Sequence, residues 1–434
     1  ILYWVFAAFG GVAAYQIAAG IFVWLTGCTV AAIARDFVRP LPGLAAGAAY
    51  ILLPQTLAGG GGQSPIYYNL FVALAAFWCI EATRSDTIRG IIPRALAAML
   101  LCGLAITVKP TAIIEGIFFG AWLCWILWRI DPRPAPWVSR ALMLAAAGAV
   151  PTLAIFAYFA ATGHFATYWF ASVESIFLTA PLTANEIWKN GRWLLIVMVP
   201  LLAASAGGMV LLHRNPAIAK DMRIFITLWI AAALGGFFIV PNFYDHYALP
   251  LLAPLCVTAA LFFQRRPAGA ALFAMIAIWS LYISGYPRAH YVKEANAGFA
   301  NAQRMIGDNI GNGCLFVYDA TPALYREHSL CLPTKLIFPR HLSAMKEARS
   351  TIAEPVAEMD RIFAQDITVV AVASEPSVWR FNSQTRAKLH TKLAEAYYLV
   401  GTARIMKNSG QQQIEIWARN PGRHRDAGRK PGAR

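Results

Sequence analysis

Apolar and polar positions divide this chain into two unlike parts. Up to about residue 285 the apolar residues run in long blocks separated by short polar bursts. A helix rises about 1.5 Å per residue, so roughly 20 apolar residues cross a hydrocarbon core of about 30 Å. The blocks at 12–34, 41–57, 65–82, 94–108, 111–129, 138–161, 192–212, 223–241, 247–264 and 267–285 are therefore predicted to span, giving a 1–285 membrane domain of about ten transmembrane helices. Residues 1–10 (ILYWVFAAFG) are too short to cross and meet Gly10-Gly11, which predicts a separate interfacial helix lying along the surface.

Beyond 285 the pattern changes to that of a soluble domain. Residues 295–311 have helical spacing and end at Gly311-Asn312-Gly313. The stretches 314–319 (CLFVYD), 367–374 (ITVVAVAS) and 412–419 (QQIEIWAR) alternate as strands do, and 383–396 reads as a helix with Ser383 as its cap. The prediction is a small C-terminal α/β domain over 286–418. The remainder, 419–434, is almost free of apolar residues and reads as a disordered basic tail.

Composition supports the membrane reading: 58% of the 434 residues are hydrophobic and only 14% are charged, against roughly a quarter in soluble domains. The net charge of +15 does not form a nucleic-acid face, because the basic residues sit in short clusters between apolar blocks. One alternate set of loops holds Arg35 and Arg39; Arg84, Arg89 and Arg94; Arg129, Arg133 and Arg140; Arg214, Lys220 and Arg223; and Arg265 and Arg266. The other set, 58–64, 109–110, 162–191 and 241–246, is nearly free of them. Basic loops stay on the cytoplasmic side. The expectation is a multi-pass protein of the bacterial inner membrane whose C-terminal domain is extracytoplasmic.

Ionisable residues at membrane depth or at its rim are where chemistry is sought first. Lys109 closes an apolar helix, precedes Pro110 and stands apart from the arginine clusters. It either holds a lipid phosphate or snorkels to headgroups. In NFYDHY, Asp245 and His246 sit between tyrosines at the start of an apolar block; they read as proton-transfer or phosphate groups, or as a polar turn in an aromatic belt. The 162–191 loop is aromatic and amphipathic, with Glu174, Glu186, Lys189 and Arg192 as sugar or phosphate contacts or as a solvated face. The turn at 59–62, followed by Gln63 and Asn69, either approaches a ligand or is simply flexible, and it lacks P-loop spacing. Five cysteines lie in apolar blocks. Cys314 and Cys331 lie in the exported domain, as a disulfide or as two buried thiols. No metal-ligand spacing is present.

Four stretches together resemble the membrane-embedded GT-C glycosyltransferases that use polyprenyl-phosphate sugars, of the ArnT and protein-mannosyltransferase type: ILYWVFAAFG, LLCGLAITVKPTAII, NFYDHYALPLLAPL and VYDATPALYREHSLCLPTKLIFPRHL. The resemblance covers nearly the whole chain and implies a GT-C-like helical bundle. It implies transfer of a sugar from a polyprenyl-phosphate donor to an extracytoplasmic acceptor, with inversion as the lipid phosphate leaves. It places Lys109 at the family's lysine and His246 and Tyr247 at its HY pair, as donor phosphate contacts. Gln63, Asn69, Glu174 and Asp245 remain cavity candidates. The family's acidic catalytic residue lies in a loop that would precede Ile1, so this chain alone is expected to be inactive, and a divalent metal held by that loop stays open. Membrane lipids are the further expected partners. A lipid-linked sugar transporter or a non-catalytic envelope assembly protein would share the topology. A transporter would show internal repeats, which are absent from the pattern.

Overall fold

The structure, a computed structural model, describes residues 2–285, 289–328, 331–407 and 410–421, and it divides into two compact units. The first unit comprises 1–162 and 182–286; the second comprises 163–181 and 287–434.

The first unit is a helical bundle. Its helices are α1 (Leu2–Ala34), α2 (Pro40–Leu52), α3 (Ser64–Thr83), α4 (Ile88–Val108), α5 (Ile113–Ile130), α6 (Pro134–Ala161), α7 (Ala184–Arg214), α8 (Lys220–Phe238), α9 (Leu252–Phe263) and α10 (Ala268–Ser284). Among the described residues eight helical segments are long and apolar enough to cross a membrane; α2 and α10 are shorter apolar helices that continue the bundle. Each predicted block thus has a helix in it.

The boundaries differ for local reasons. The separate interfacial helix at 1–10 is not there: α1 runs unbroken through Gly10-Gly11. A glycine inside a helix costs only about 1 kcal/mol, too little to break a run with apolar helix formers on both sides. Helix α4 starts six residues before the expected 94, because the Thr87 side chain accepts from the Gly90 amide and opens the helix there. Helix α7 starts at Ala184, not at 192, behind a capping box in which Thr183 and Glu186 satisfy each other's amides. Glu186 is thereby a cap. The block at 247–264 begins as a 3-10 helix, Asp245–Leu251, before α9; Pro250 has no amide proton to give an α-helical turn.

Side-chain bonds tie the loops into two opposite ends. At the arginine-rich end Arg84 pairs with Asp36 (2.8 Å), Arg129 with Asp221, and the Arg39 amide donates to Gln264 Oε1 (3.0 Å). Asp131 accepts from both Arg133 and Arg140, and these guanidinium groups hold its carboxyl well below the usual carboxylate range. At the other end the Tyr67 hydroxyl donates to the Tyr15 carbonyl (3.0 Å), and Asn190 Nδ2 donates to the Asn242 carbonyl (2.9 Å).

The second unit is built on a four-stranded sheet of order β1-β2-β4-β3, with β1 (Cys314–Tyr318) parallel to β2 (Ile367–Ala373) and β4 (Gly410–Arg419) antiparallel to both β2 and β3 (Tyr397–Lys407). Alternation along the strands makes two cores. Leu315, Val317, Val369, Ala371, Ile414 and Ile416 face one side, which α11 (Ala289–Ile310) covers with Ala302 and Ile306. Phe316, Tyr318, Val370 and Val372 face the other, under Met359 and Ile362 of α12 (Pro355–Phe363) and Leu389 and Leu393 of α13 (Ser383–Ala396). The cap of α13 is Asn382, whose side chain accepts from the Gln384 and Thr385 amides; Ser383 is already helical. Strand β3 and helix α12 were not in the sequence reading. Arg419 ends β4, so it does not begin a tail; 422–434 lie outside the described residues, as do 286–288. The loop segment 163–181 also belongs with this unit, through the Ala180 amide on the Lys346 carbonyl (3.0 Å).

Cys314 and Cys331 form a disulfide with Cα atoms 5.1 Å apart and a sequence separation of 17. Closing a loop of that length restricts the unfolded chain by about 3 kcal/mol. Replacing both with serine is expected to speed amide exchange in β1 and β2 by roughly 100-fold. Unchanged exchange protection would show that the bond adds nothing to this sheet.

Candidate functional site

The polar groups of the non-arginine end collect where α4, α5 and the 245–251 segment meet. Helix α4 stops because Pro110 follows Lys109, and the residue before a proline avoids the helical region. Lys109 is accordingly extended (φ −151, ψ 121), and its amide closes the last turn on Ala105. This turns the side chain toward the NFYDHY segment, where Nζ lies 4.0 Å from the centre of the Tyr247 ring. A cation over a tyrosine face gains about 0.5–2 kcal/mol, more as water is excluded. Lys109 is half-buried, and burial pushes its amine down to about 8.

The 245–251 segment presents its own cluster. The His246 and Tyr247 rings are 4.6 Å apart, and Tyr244 stacks parallel to His246 at 6.1 Å. Phe243 holds a left-handed backbone conformation (φ 48), which turns the chain sharply into the segment. Its ring packs on Phe237 at 5.2 Å. An apolar groove of about 300 Å³ opens beside it, between α7, α8 and the last residue of the 3-10 helix, walled by Leu194, Met198, Leu234, Phe237, Phe243 and Leu251 among others. The segment that carries the histidine and two tyrosines beside this cation is thus flanked by Phe243 and Leu251, which wall a slot lined only by apolar residues.

The bundle interior also carries a buried polar layer. Asn69 is 2% exposed and donates both to the Tyr50 hydroxyl (3.1 Å) and to the Leu249 carbonyl (2.9 Å). It ties the 245–251 segment to α2 and α3. Glu115, in α5, is 3% exposed, and the Trp229 indole donates to its Oε1 (3.1 Å). Tyr68 bonds the Thr111 side chain nearby in the same layer.

Of the residues singled out from sequence, the structure brings Lys109, His246 and Tyr247 together, with half-buried Asp245 beside them in the chain. Asn69 lies inside the bundle with its amide engaged, and Gln63 is exposed at the start of α3. Glu174 is exposed and belongs to the second unit. The glycine turn packs tightly. Gly62 has a positive φ of 69, its carbonyl accepts from the Tyr15 hydroxyl, and a Cβ there would meet the Tyr15 ring at 2.8 Å. Glu115 was missed, although a carboxyl inside an apolar run is itself a signal. Among the described residues no group of three or more His, Cys, Asp or Glu side chains is placed to hold a metal ion.

No protein family and no curated protein sequence matches the chain. Among solved structures, the crystal structure of ArnT from Cupriavidus metallidurans bound to undecaprenyl phosphate has the same fold, with a TM-score of 0.57 and 11% identity over 95% of this chain and 86% of that one. The chain is therefore a multi-pass membrane protein with a GT-C-like fold. At that identity the likeness is one of fold.

Proposed function

We propose that this protein is an integral-membrane glycosyltransferase that takes its sugar from a polyprenyl-phosphate donor bound at the Lys109 end of the bundle. The observation that carries the reading is that one segment, 243–251, both meets a half-buried cation through Tyr247 and walls an apolar groove through Phe243 and Leu251. A polyprenyl phosphate has just those two parts, a charged head and a hydrocarbon tail. Lys109 would meet the phosphate, with His246 and Tyr247 completing the contact, while the first isoprene units lie along Phe243 and Leu251. The fold it shares with a protein crystallised with undecaprenyl phosphate supports the same ligand class. The distribution of arginines supports an inner-membrane placement with this end, and the C-terminal domain, extracytoplasmic.

In the transfer, an acceptor hydroxyl oxygen attacks the anomeric carbon, its proton passes to solvent, and the bond from that carbon to the phosphate oxygen breaks. The electron pair stays on the phosphate, and inversion follows from attack on the opposite face. Lys109 would stabilise the charge developing on that leaving group, which is where fixed cations contribute most. Sugar and acceptor contacts would come from cavity groups such as Asp245 and Gln63.

Undecaprenyl phosphate is expected to bind the full chain at least about tenfold tighter than undecaprenol, which lacks the head. Equal affinities would leave only an apolar groove. The amine near 8 sets a pH dependence as well. About nine-tenths of Lys109 is charged at pH 7 and about one-tenth at pH 9, so affinity should fall roughly tenfold between them. The second phosphate ionisation, near 6, is nearly complete over that range. A flat profile between pH 7 and 9.5 would remove Lys109 from the phosphate contact.

A further inference from the structure

A second groove lies at the arginine-rich end. It is formed where the turn into α2 meets the turn between α9 and α10, has a volume of about 460 Å³, and is lined by Arg39, Leu41, Phe263, Arg266, Gly269 and Phe273 among others. The 19 residues of Asp245–Phe263 separate it from the His246 cluster, roughly 30 Å at helical rise. It belongs to neither the cation nor the apolar slot described above.

Its construction is specific. The Arg39 amide is fixed by Gln264 Oε1, which locks the two turns together. Gly269 is buried, and a Cβ there would fall 2.3 Å from the Phe262 carbonyl oxygen, so α10 approaches the end of α9 as closely as backbone allows. The small residues Ala45, Gly269 and Ala270 leave a trough rather than a filled seam. Two arginines, Arg39 and Arg266, are exposed at its edge, and among the described residues these are the only charged side chains lining it. Leu41, 62% exposed, and Phe273 supply apolar wall.

We infer that this groove seats the headgroup of an anionic membrane phospholipid, with the phosphodiester held between Arg39 and Arg266 and an acyl chain against Leu41 and Phe273. Basic pockets between membrane helices recognise such headgroups, each arginine adding about a factor of five in affinity near a charged surface. Arginine suits the task because its planar fork donates to two phosphate oxygens at once. The ligand is a bilayer component, present wherever the protein is, so the site acts as a lipid anchor that fixes α2 against α10.

Native mass spectrometry of the full chain released from micelles doped with phosphatidylglycerol or phosphatidylcholine tests this. Wild type should retain one phosphatidylglycerol preferentially, and Arg39→Gln with Arg266→Gln should weaken that retention by roughly 30-fold. Arg265→Gln removes the same charge one residue outside the groove and should retain the lipid like wild type. Equal loss in R265Q would mean diffuse surface charge, and equal retention of phosphatidylcholine would mean a neutral crevice; either overturns the site. Unchanged retention in the double variant overturns it too. If the double variant fails to fold, Leu41→Gln tests the acyl wall in its place and should lower retention, whereas undiminished retention there overturns the site. Inorganic phosphate up to millimolar levels should not displace the lipid, because it lacks the chain.

Discussion

Lys109→Gln is expected to weaken undecaprenyl phosphate binding by about 100-fold while leaving undecaprenol binding within about twofold. Truncating one partner of a desolvated, hydrogen-bonded charge pair costs about 2–5 kcal/mol, and a half-buried site belongs near the low end. Glutamine keeps the length and polarity of the side chain but has no charge for the phosphate. The apolar groove, walled by α7 and α8, does not touch residue 109 and should hold the hydrocarbon as before. Lys109→Arg should restore most of the affinity and abolish its fall above pH 8, since a guanidinium stays charged throughout. Equilibrium titration in nanodiscs reads all three. An unchanged affinity in the glutamine variant would place the phosphate elsewhere, and loss of undecaprenol binding as well would mean that the variant has disturbed the fold.

Gly208→Ala is expected to destabilise the bundle by about 3–5 kcal/mol, an unusually large effect for one methyl group. A Cβ at 208 would sit 1.9 Å from the Thr258 carbonyl oxygen and 2.7 Å from its carbon. Both atoms are backbone in the interior of α9, so no side chain can turn aside. The helices must separate, which also breaks the buried bond between the Ser205 and Thr258 hydroxyls (2.6 Å). Small residues at membrane helix crossings serve this close approach. The expected shift in unfolding temperature is roughly 10 °C. Gly236→Ala, where the Cβ would meet the Thr111 carbonyl oxygen at 3.6 Å and the Ile114 Cβ at 3.9 Å, both ordinary contacts, should stay within about 0.5 kcal/mol of wild type. Because α9 continues the 245–251 segment, the Gly208 variant should also weaken lipid-phosphate binding at temperatures where it remains folded. Equal stability of the two variants would show that the helix pair is looser than described.

The helices of the bundle were legible because each apolar block is continuous, and length alone then decides that it spans. Their ends were less so. Thr183–Glu186 and Thr87 start helices well before the hydrophobicity rises, since capping is a matter of single hydrogen bonds. Gly10-Gly11 looked like an interruption, yet a glycine pair cannot end a helix whose neighbours all favour it. Strand β3 was overlooked because it follows α13 directly and bends at Gly401, where its register with β4 shifts.

Lys109 and the NFYDHY segment stood out singly as polar breaks in apolar sequence, but their meeting depends on long-range packing. Asn69 reaches a carbonyl 180 positions away, and Glu115 finds its indole partner 114 positions away in α8. Such pairings leave no local pattern. The carboxyl of Glu115, flanked by IleIle and GlyIle, is diluted by its neighbours in any averaged hydropathy. Its role as an acceptor for the Trp229 indole follows only once α5 and α8 have met. The two grooves are likewise invisible to periodicity, because each is defined by what small residues and turns leave unfilled.

The most direct test of the polyprenyl-phosphate reading is a cryo-EM structure of the full chain in nanodiscs with undecaprenyl phosphate. Phosphate density within hydrogen-bonding distance of Lys109 Nζ, continuing as hydrocarbon past Phe243 and Leu251, is the result expected. Phosphate density only at the arginine-rich end, with the Lys109 side chain facing empty bilayer, would contradict it.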